Sequence, residues 1–473
     1  MNSRMIPEVQ KFLETDGNTI LLIRGEAGTG KTIFSLELVN FYARMVPAFY
    51  FTSRVDVPSL FGQFPWIREN IGEDLIFDIT RSSARRIKKH KLEFSFSTIQ
   101  EFLQNIYLLL EEAGMEKKKV VVIDSIDALS ELFDIPINKI ITGLQDVAIN
   151  ANTKFIVISE TVGAKDIEYL SDGVITLTKE YHDNRILRSL IIDKLRGVEV
   201  KSSIYFFTLK DGRIMFLENY PIFISAIDVK AKHPIINDRE GSRFFERNAF
   251  STGNNDFDKI IKGYQKGSFV VFQVDKTVIW SNILDIVSHT VENFLLQNRG
   301  VIIVPTSGFS PIYFRNMFSR LVGPEVFEEN CIVFMPGLHE STEYKWLKSV
   351  SPTPEDVYNG IMDTYSDFTK RFKEVLVLLG MDFFETYFGS QQTERIVMKI
   401  ISIVKIDQNL AIGLVNNDSP ITTKLVRMSD YIFNVFSRSG KLFMYGVLPA
   451  TNILNINLDV SGPHPITRYI EIL

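Results

Sequence analysis

The sequence predicts an α/β fold in two tandem copies, each a mostly parallel sheet with helices on both faces. Two observations lead to this prediction. In the first half of the chain, short runs that are apolar throughout alternate with stretches of helical periodicity, which is typical of parallel strands covered on both faces. The same order of strands and helices then returns in the second half with a diverged sequence, which indicates an internal duplication.

The first domain, predicted at residues 1–216, begins with four parallel strands. Their apolar runs are residues 18–24, 48–52, 119–124 and 154–159, and the main helical stretches are 33–42, 99–112 and 138–150. Two antiparallel pairs follow, around the turns His182-Asp183-Asn184 and Asp211-Gly212. This change to antiparallel pairing indicates the end of the domain.

The second domain, predicted at residues 251–473, repeats this order. Its strands are predicted at 267–273, 300–305, 374–380 and 410–415, with a helix at 278–296 and a hairpin over 431–447. Between the domains, residues 217–250 carry prolines and charges without a sustained period. We predict that this segment is a linker and a docking segment for a partner.

The composition excludes several classes of protein. The chain has 473 residues, 45% hydrophobic and 23% charged, which excludes a disordered, collagenous or coiled-coil protein. The net charge of −5 does not demand a nucleic-acid partner for the whole chain. The single cysteine, Cys331, excludes an internal disulfide. We find neither a signal peptide nor an apolar run of the ~18 residues that a membrane span needs, and we expect a cytoplasmic protein without a membrane partner.

A glycine-rich loop follows the first strand. Its residues, Gly25-Glu26-Ala27-Gly28-Thr29-Gly30-Lys31-Thr32, match the pattern G-x-x-x-x-G-K-[ST], and a helix follows as that pattern requires. Glycines let the backbone curl so that its N–H groups point at phosphate oxygens, and the helix N-terminus adds partial positive charge. We therefore predict that this loop binds ATP, with Lys31 at the β- and γ-phosphates.

A carboxylate partner for a magnesium ion is predicted at the end of the third strand. Asp124 ends the apolar run 119–124. Because parallel strands end at the same edge of a sheet, Asp124 should lie near the loop. We predict that Thr32 and Asp124 hold hydrated Mg²⁺. A strand-end aspartate that only caps a turn is the alternative.

These motifs, with Asp124-Ser125 and residues 169–175, resemble the RecA superfamily of P-loop ATPases, specifically its KaiC-like branch. Lys194-Leu195-Arg196-Gly197 looks like the K-x-R-G segment of that family. The resemblance implies that Lys194 and Arg196 reach the γ-phosphate of a neighbouring subunit, and hence a homo-oligomer in the form of a ring or filament. A solvated basic strand end stays open as the alternative.

The chain departs from this family where the catalytic base is expected. KaiC-like enzymes carry a glutamate just after the second strand, but Arg54 and Val55 take those positions here. Asp56 is the nearest carboxylate and Glu160 is the second candidate for the base. Ser159 and Glu160, which close the fourth strand, are expected to sense the γ-phosphate. Without a positioned base we expect ATP binding with slow hydrolysis.

The second domain is predicted to be a degenerate copy. Its opening residues, 251–268, match the KaiC-type entrance, but Val274-Asp275-Lys276-Thr277 stands where a phosphate loop should follow and contains no glycine. Gly380 takes the place of the expected strand-end aspartate, and Asp382 is displaced by two positions. We predict a domain without a working phosphate loop. A wholly unrelated α/β domain is the alternative.

A basic run at residues 81–91 contains no acidic residue. Such runs bind nucleic acid, acidic protein surfaces or anionic lipid, and a solvated loop is the alternative. Three features of the chain together resemble archaeal GvpD-type regulators. They are the single intact phosphate loop, the N-terminal residues 6–13 and this basic run. The candidate partner-binding residues are Arg81, Arg85, Arg86, Lys88, Lys89 and Lys91.

The resemblance implies a regulator that binds Mg·ATP and contacts a protein partner, such as a transcription regulator, in only one nucleotide state. Two other functions stay open. One is a DNA-directed ATPase of the RecA type, which is not favoured because a single basic run is small for a DNA groove. The other is a scaffold in which ATP is purely structural.

Overall fold

The computed structural model describes residues 5–17, 19–80, 96–161, 165–221, 234–238, 248–336 and 344–473. The chain divides into two compact units. The first comprises Met1–Leu217 with Ile472–Leu473, and the second comprises Glu218–Glu471. Each unit contains one large sheet with helices, as the sequence predicts.

The first unit begins with α1 (Pro7–Glu14), β1 (Ile20–Arg24) and α2 (Lys31–Tyr42), so the glycine-rich loop joins a strand to a helix. The elements that follow are β2 (Ala48–Thr52), α3 (Val57–Gln63), α4 (Trp66–Asn70), β3 (Ile76–Asp78), α5 (Ile99–Glu112), β4 (Lys119–Asp124), α6 (Ile126–Phe133), α7 (Ile137–Asn150), β5 (Thr153–Ser159), α8 (Lys165–Leu170), β6 (Gly173–His182), β7 (Arg185–Leu195), β8 (Ile204–Thr208) and β9 (Met215–Phe216).

The second unit begins with a short pair of strands that encloses a helix. Its elements are β10 (Ala249–Phe250), α9 (Asn255–Ile261), β11 (Tyr264–Gln265), β12 (Phe269–Val274), α10 (Trp280–Leu296), β13 (Gly300–Val304), α11 (Pro311–Val322), α12 (Pro324–Asn330), β14 (Cys331–Pro336), β15 (Leu347–Val350), α13 (Pro354–Arg371), β16 (Val375–Gly380), α14 (Met381–Ile406), β17 (Leu410–Asn416), α15 (Thr422–Met428), β18 (Tyr431–Arg438), β19 (Lys441–Leu448), β20 (Leu454–Asp459) and β21 (Ile466–Glu471). Among the described residues, no helix is long and apolar enough to cross a membrane.

The two sheets have the same strand order. In the first unit it is β3-β2-β4-β5-β1-β6-β7-β8-β9, and in the second it is β14-β13-β16-β17-β12-β18-β19-β20-β21, with β15 added at the β14 edge. In both, the strands before the final hairpins are parallel, and the last three neighbour pairs are antiparallel. This shared topology confirms the predicted fold class of two tandem, mostly parallel α/β domains.

Both faces of the first sheet are covered, which explains why its parallel strands are apolar throughout. Leu21 and Ile23 of β1 belong to one hydrophobic cluster with Phe34 of α2. Leu22 belongs to another cluster with Phe102 of α5. Since successive side chains of a strand point to opposite faces, both faces need apolar residues.

Of the described residues in the predicted linker 217–250, those after Leu217 belong to the second unit. The backbone N–H and carbonyl of Ile236 both pair with the side-chain amide of Asn293, at 2.9 and 3.0 Å. Asp238 accepts two hydrogen bonds from the guanidinium of Arg299. The sequence does not reveal this docking because the partners on and after α10 lie more than fifty residues further along the chain.

The end of β16 shows how the second unit differs from the first. β16 occupies the place that β4 has in the first sheet, but it ends at Gly380 where β4 ends at Asp124. A Cβ atom at Gly380 would lie only 2.5 Å from the carbonyl oxygen of Pro305. Backbone packing therefore excludes a side chain at the position where the first unit carries its carboxylate.

We predict that Gly380→Ala destabilises the second unit by about 1–3 kcal/mol, because the added methyl group forces a backbone shift in a packed sheet. The measurement is the urea midpoint of unfolding. The control is Gly462→Ala, whose added Cβ has no atom nearer than 3.7 Å and should leave the midpoint unchanged. Equal urea midpoints for the two variants would show that the contact with Pro305 does not exclude a side chain at position 380.

Candidate nucleotide-binding site

The glycine-rich loop has positive φ angles that favour glycine at three positions, Gly25, Gly28 and Gly30. Gly25 has a φ of 153°, and a Cβ there would lie 2.3 Å from the carbonyl oxygen of Leu177. Gly30 has a φ of 102°, in the left-handed region, and is the N-cap of α2. The loop thus has the tight curvature that a phosphate-binding turn requires.

The N-terminus of α2 faces this loop without a side-chain cap. The N-cap residue is Gly30, and no side-chain cap hydrogen bond is found at this end of the described helix. The first backbone N–H groups of a helix have no partner within the helix, and the helix dipole places partial positive charge there. A twelve-residue helix that begins in this way provides an anion-binding end.

Lys31 is buried against the loop that precedes it. Its Nζ donates hydrogen bonds to the carbonyl oxygens of Gly25 and Glu26, at 2.7 and 2.8 Å. Burial lowers the pKa of Lys31, and the charges of Glu160 and Asp124 partly oppose this effect. The ammonium group therefore contacts the backbone of the loop at which the sequence predicts a phosphate contact.

Asp124 joins the start of α2 to the centre of the sheet. Its Oδ2 accepts hydrogen bonds from Thr32 Oγ1 at 2.8 Å and from the Tyr50 hydroxyl at 2.6 Å. Burial raises the pKa of Asp124 above its ordinary value. Tyr50 is fully buried, and burial together with Asp124 raises the pKa of its phenol, which stays protonated and donates. The structure thus brings the two predicted magnesium ligands together and adds Tyr50, which the sequence analysis missed.

The Thr32–Asp124 pair fits a magnesium ion better than it fits a metal held only by protein. Within the described residues, no group of three or more His, Cys, Asp or Glu side chains is placed to hold a metal. Mg²⁺ usually keeps several waters and takes one or two protein ligands together with substrate phosphates. One hydroxyl and one carboxylate beside an anion-binding helix end match that requirement.

Arg54 and Glu160 form an ion pair beside this site. The distance between Arg54 Nη1 and Glu160 Oε1 is 2.5 Å, and each side chain is 39% exposed. Arg54 stands where the KaiC-like resemblance places a catalytic glutamate. Glu160 is one of the two candidate bases. Its carboxylate is therefore paired with Arg54, the residue at the position of the family's catalytic glutamate.

The end of β5 is fastened to the first turn of α6. Asp127 accepts hydrogen bonds from the Ser159 hydroxyl at 3.1 Å, from the backbone N–H of Glu160 at 2.9 Å and from the Thr161 hydroxyl at 2.9 Å. The sequence analysis predicted Ser159 and Glu160 as sensors of the γ-phosphate and missed Asp127. The sequence pattern that could have identified Asp127 is an acidic residue in the first turn of α6, the helix that begins directly after β4.

Asp56, the other candidate base, is the N-cap of α3. Its carboxylate accepts a hydrogen bond from the backbone N–H of Ser59 at 2.8 Å. Asp56 carries the local signal of this role, because Pro58 stands in the first turn of the helix that follows. A role of Asp56 in hydrolysis stays a prediction.

Lys194 and Arg196 lie toward the sheet edge at which β1 begins, away from the glycine-rich loop. β7 is antiparallel to β6, so its last residues pair with the first residues of β6. Lys194 Nζ donates to the Ser171 carbonyl at 2.6 Å, and Arg196 pairs with Asp172 at 3.0 Å. From this edge, a phosphate contact would have to involve nucleotide on another chain, and that contact stays a prediction.

Arg188 of β7 is a further residue that the sequence analysis missed. Its guanidinium donates to the carbonyl oxygen of Gly28 at 2.7 Å and to the backbone oxygen of Leu473 at 2.9 Å. In a trans peptide the carbonyl and the N–H point in opposite directions, so this contact directs the N–H of Thr29 away from Arg188. The sequence pattern that could have identified Arg188 is an arginine within a largely apolar strand.

The candidate partner-binding residues of the basic run 81–91 lie outside the described residues. These are Arg81, Arg85, Arg86, Lys88, Lys89 and Lys91.

The second unit closes the corresponding turn with its own carboxylate. Asp275 Oδ1 accepts hydrogen bonds from the backbone N–H and the hydroxyl of Thr277, at 2.9 and 2.7 Å. The Thr277 hydroxyl in turn accepts a hydrogen bond from the backbone N–H of Ser437. Asp382 accepts a hydrogen bond from the backbone N–H of Ser307. A tight turn that carries a negative charge does not fit a phosphate.

The comparison with protein families agrees with this geometry. Residues 6–220 match a family model described as ATPase: KaiC. That range contains the glycine-rich loop, Asp124, and the Arg54–Glu160 pair. The first unit is a KaiC-like domain. The glycine-rich loop therefore lies in the part of the chain that resembles a P-loop ATPase.

Individual relatives extend the resemblance beyond the KaiC-like domain. The chain is 24% identical to Protein GvpD2 of Halobacterium salinarum, over 98% of this chain and 96% of GvpD2. It is 27% identical to Protein GvpD1 of the same organism, over 69% of this chain and 61% of GvpD1. A UPF0273 protein of Pyrococcus horikoshii is 26% identical, over 44% of this chain and 91% of its own length. The chain thus contains a KaiC-like domain at residues 6–220 and resembles GvpD2 over nearly its whole length.

We predict that Asp124→Asn stabilises the nucleotide-free KaiC-like domain. The folded state holds the Asp124 proton more tightly than the unfolded state, so the wild type loses stability as pH rises from about 4 through the folded pKa. Asparagine removes the buried charge and keeps an acceptor for Thr32 and Tyr50. The difference in melting temperature, variant minus wild type, should therefore grow from acid to neutral pH in thermal unfolding.

The same variant should lose the tightening of ATP binding by Mg²⁺. Asp382→Asn, which changes a half-buried aspartate near the end of β16, is the control that should keep this dependence on Mg²⁺. If the melting temperature of the variant minus that of the wild type fell from acid to neutral pH, the conclusion that the Asp124 charge destabilises the folded domain would be wrong.

Proposed function

We propose that this chain is a nucleotide-gated regulator of the GvpD type, in which the KaiC-like domain binds Mg·ATP and thereby controls the binding of a protein partner. The observation that carries the proposal is the contact among the parts of one phosphate site. These parts are the tightly curved glycine turn, the buried Lys31 and the Thr32–Asp124 pair.

Each part has a distinct role in the proposed complex. The backbone N–H groups of the phosphate loop and of the first turn of α2 bind phosphate oxygens, and Lys31 adds a positive charge at the β- and γ-phosphates. Thr32 and Asp124 hold the hydrated magnesium ion, which neutralises phosphate charge when it is bound. Arg188 holds the loop from outside through the Gly28 carbonyl.

Slow hydrolysis is part of the proposal. The position after β2 holds Arg54, which cannot accept a proton, and the nearby Glu160 is paired with Arg54. A positioned general base contributes roughly 10²–10⁴ in rate, and this chain has replaced it with a cation. Long-lived ATP suits a switch, because the bound state then persists until a partner is engaged.

The regulatory part of the proposal rests on the second unit and on the relatives. The second unit retains the fold and has lost the phosphate turn, so its sheet and helices serve as a structural or partner-binding copy. Resemblance to GvpD proteins covers nearly the whole chain. We place the protein partner, such as a transcription regulator, at the basic run 81–91, and we propose assembly through Lys194 and Arg196.

We predict that Lys31→Ala weakens ATP binding by about ten- to hundredfold, because charge-assisted hydrogen bonds contribute about 1.5–3 kcal/mol. The control is Lys139→Ala, which removes an exposed lysine of α7 and should bind like the wild type. Affinity is measured by titration calorimetry with Mg·ATP, and turnover is measured on the same samples with and without DNA.

Wild-type protein should turn ATP over slowly and with no response to DNA. Fast turnover that DNA stimulates would overturn the regulator in favour of a DNA-directed ATPase. A scaffold would be favoured by a different result. In that case ATP would bind tightly and raise thermal stability, but the ATP and ADP complexes would show the same hydrogen exchange.

A further inference from the structure

The Arg54–Glu160 ion pair lies across the edge of the sheet that carries the phosphate loop. Arg54 follows β2 and Glu160 follows β5, and β4 lies between these two strands. In the sheet register, Asp124 at the end of β4 pairs with Thr52 on one side and with Ile158 on the other. The pair therefore joins the two strands that flank Asp124.

The surrounding charges show that this pair lies within electrostatic reach of the phosphate site. The pKa of Lys31 is influenced by Glu160 and by Arg54, in opposite directions. The positive charge of Arg54 also acts to lower the pKa of Asp124. Arg54 thus acts electrostatically on Lys31 and on Asp124, the residues at the predicted positions of the phosphates and of the magnesium ion.

Both partners have fixed backbones and half-exposed side chains. Ser53, next to Arg54, accepts a hydrogen bond from the backbone N–H of Ser125 at 2.7 Å and donates its hydroxyl to the Ser125 carbonyl at 3.0 Å. The backbone N–H of Glu160 is held by Asp127 at 2.9 Å. The ion pair can therefore open by side-chain rotation alone, with both strand ends left in place.

We propose that Arg54 is a ligand of the ATP terminal phosphate within its own chain, and that Glu160 holds Arg54 when only ADP is bound. This inference rests on the proposed function, because it needs nucleotide at the phosphate loop. A guanidinium binds phosphate oxygens through two parallel N–H donors, and a terminal phosphate carries more negative charge than one carboxylate. ADP lacks the γ-phosphate, which is the terminal phosphate of ATP, so Arg54 keeps its bond to Glu160 when ADP is bound.

The exchange gives the segment after β5 a response to the nucleotide. When Arg54 binds the terminal phosphate, the Glu160 carboxylate loses its cation and faces added negative charge. Glu160 directly follows Ser159 and precedes Thr161, both of which bind Asp127. Arg54 is thus a specificity-determining residue that discriminates ATP from ADP, and Glu160 is the residue that registers the difference.

The test compares Mg·ATP and Mg·ADP affinities by titration calorimetry for the full chain. Arg54→Gln should weaken ATP binding by about tenfold or more and change ADP binding by less than about twofold. Glu160→Gln should strengthen ATP binding relative to ADP, because Arg54 no longer has to leave a carboxylate. The double variant should resemble Arg54→Gln, because the effect of Glu160 acts through Arg54.

A matched control is available in the second unit. Arg315 pairs with Glu328 at 2.8 Å, with side-chain exposures of 37% and 39%. Arg315→Gln removes an ion pair of similar exposure and should change neither affinity. Arg54→Lys retains the charge without the planar fork, and should retain part of the preference for ATP.

The outcomes separate this inference from the proposed function. Equal weakening of ATP and ADP by Arg54→Gln, or no change in either, would overturn the role of Arg54 while nucleotide binding stands. A wild-type chain that binds neither nucleotide would overturn the proposed function itself. Melting temperatures near the wild-type value for the variants show that they are folded.

Discussion

The first unit depends on one partly buried carboxylate, that of Asp124. Asp124 ends the strand β4, accepts a hydrogen bond from Thr32 at the start of α2, and accepts another from Tyr50 of β2. These contacts place the first turn of α2 against the sheet edge and thereby orient the phosphate loop. A buried charge costs stability unless it is well bonded, and here the hydroxyl donors partly offset that cost. The charges of Lys31 and Arg54 act in the same direction, and a magnesium ion at Thr32 and Asp124 would offset more of the cost, which is the physical reason to expect one there.

The duplicated fold shows what happens when that constraint is removed. The second unit has the same strand order, but Gly380 replaces the strand-end carboxylate and the Pro305 backbone fills the space. Its turn after β12 is closed by Asp275 instead of being open to an anion. Both changes concern the sheet edge and leave the apolar strands intact. A binding site can therefore be lost while the fold that carried it remains, because the core and the site use different residues.

Much of the fold could be predicted from the sequence, since buried parallel strands need continuous apolar runs. The helix predicted at 99–112 and the strand predicted at 48–52 have the observed bounds. The final strands were harder to predict, since β21 mixes apolar residues with Arg468 and Glu471. Within the predicted linker, the contacts of Ile236 with Asn293 and of Asp238 with Arg299 could not be predicted, because side-chain pairing across such distances leaves no local pattern.

The residues of the site also fall into those that the sequence predicts and those that it does not. The phosphate loop and Asp124 follow local rules of spacing and strand position, so the sequence predicts them. The contacts of Arg54 with Glu160, of Tyr50 with Asp124 and of Arg188 with Gly28 join distant segments, so only the folded chain reveals them.

The most direct test of the account is the number of ATP molecules bound per chain, measured by native mass spectrometry in the presence of magnesium. We predict one ATP per chain, because only the first unit combines the glycine turn, Lys31 and the Thr32–Asp124 pair. Two bound ATP molecules per chain would contradict the loss of the second phosphate site. No bound ATP would contradict the assignment of the first.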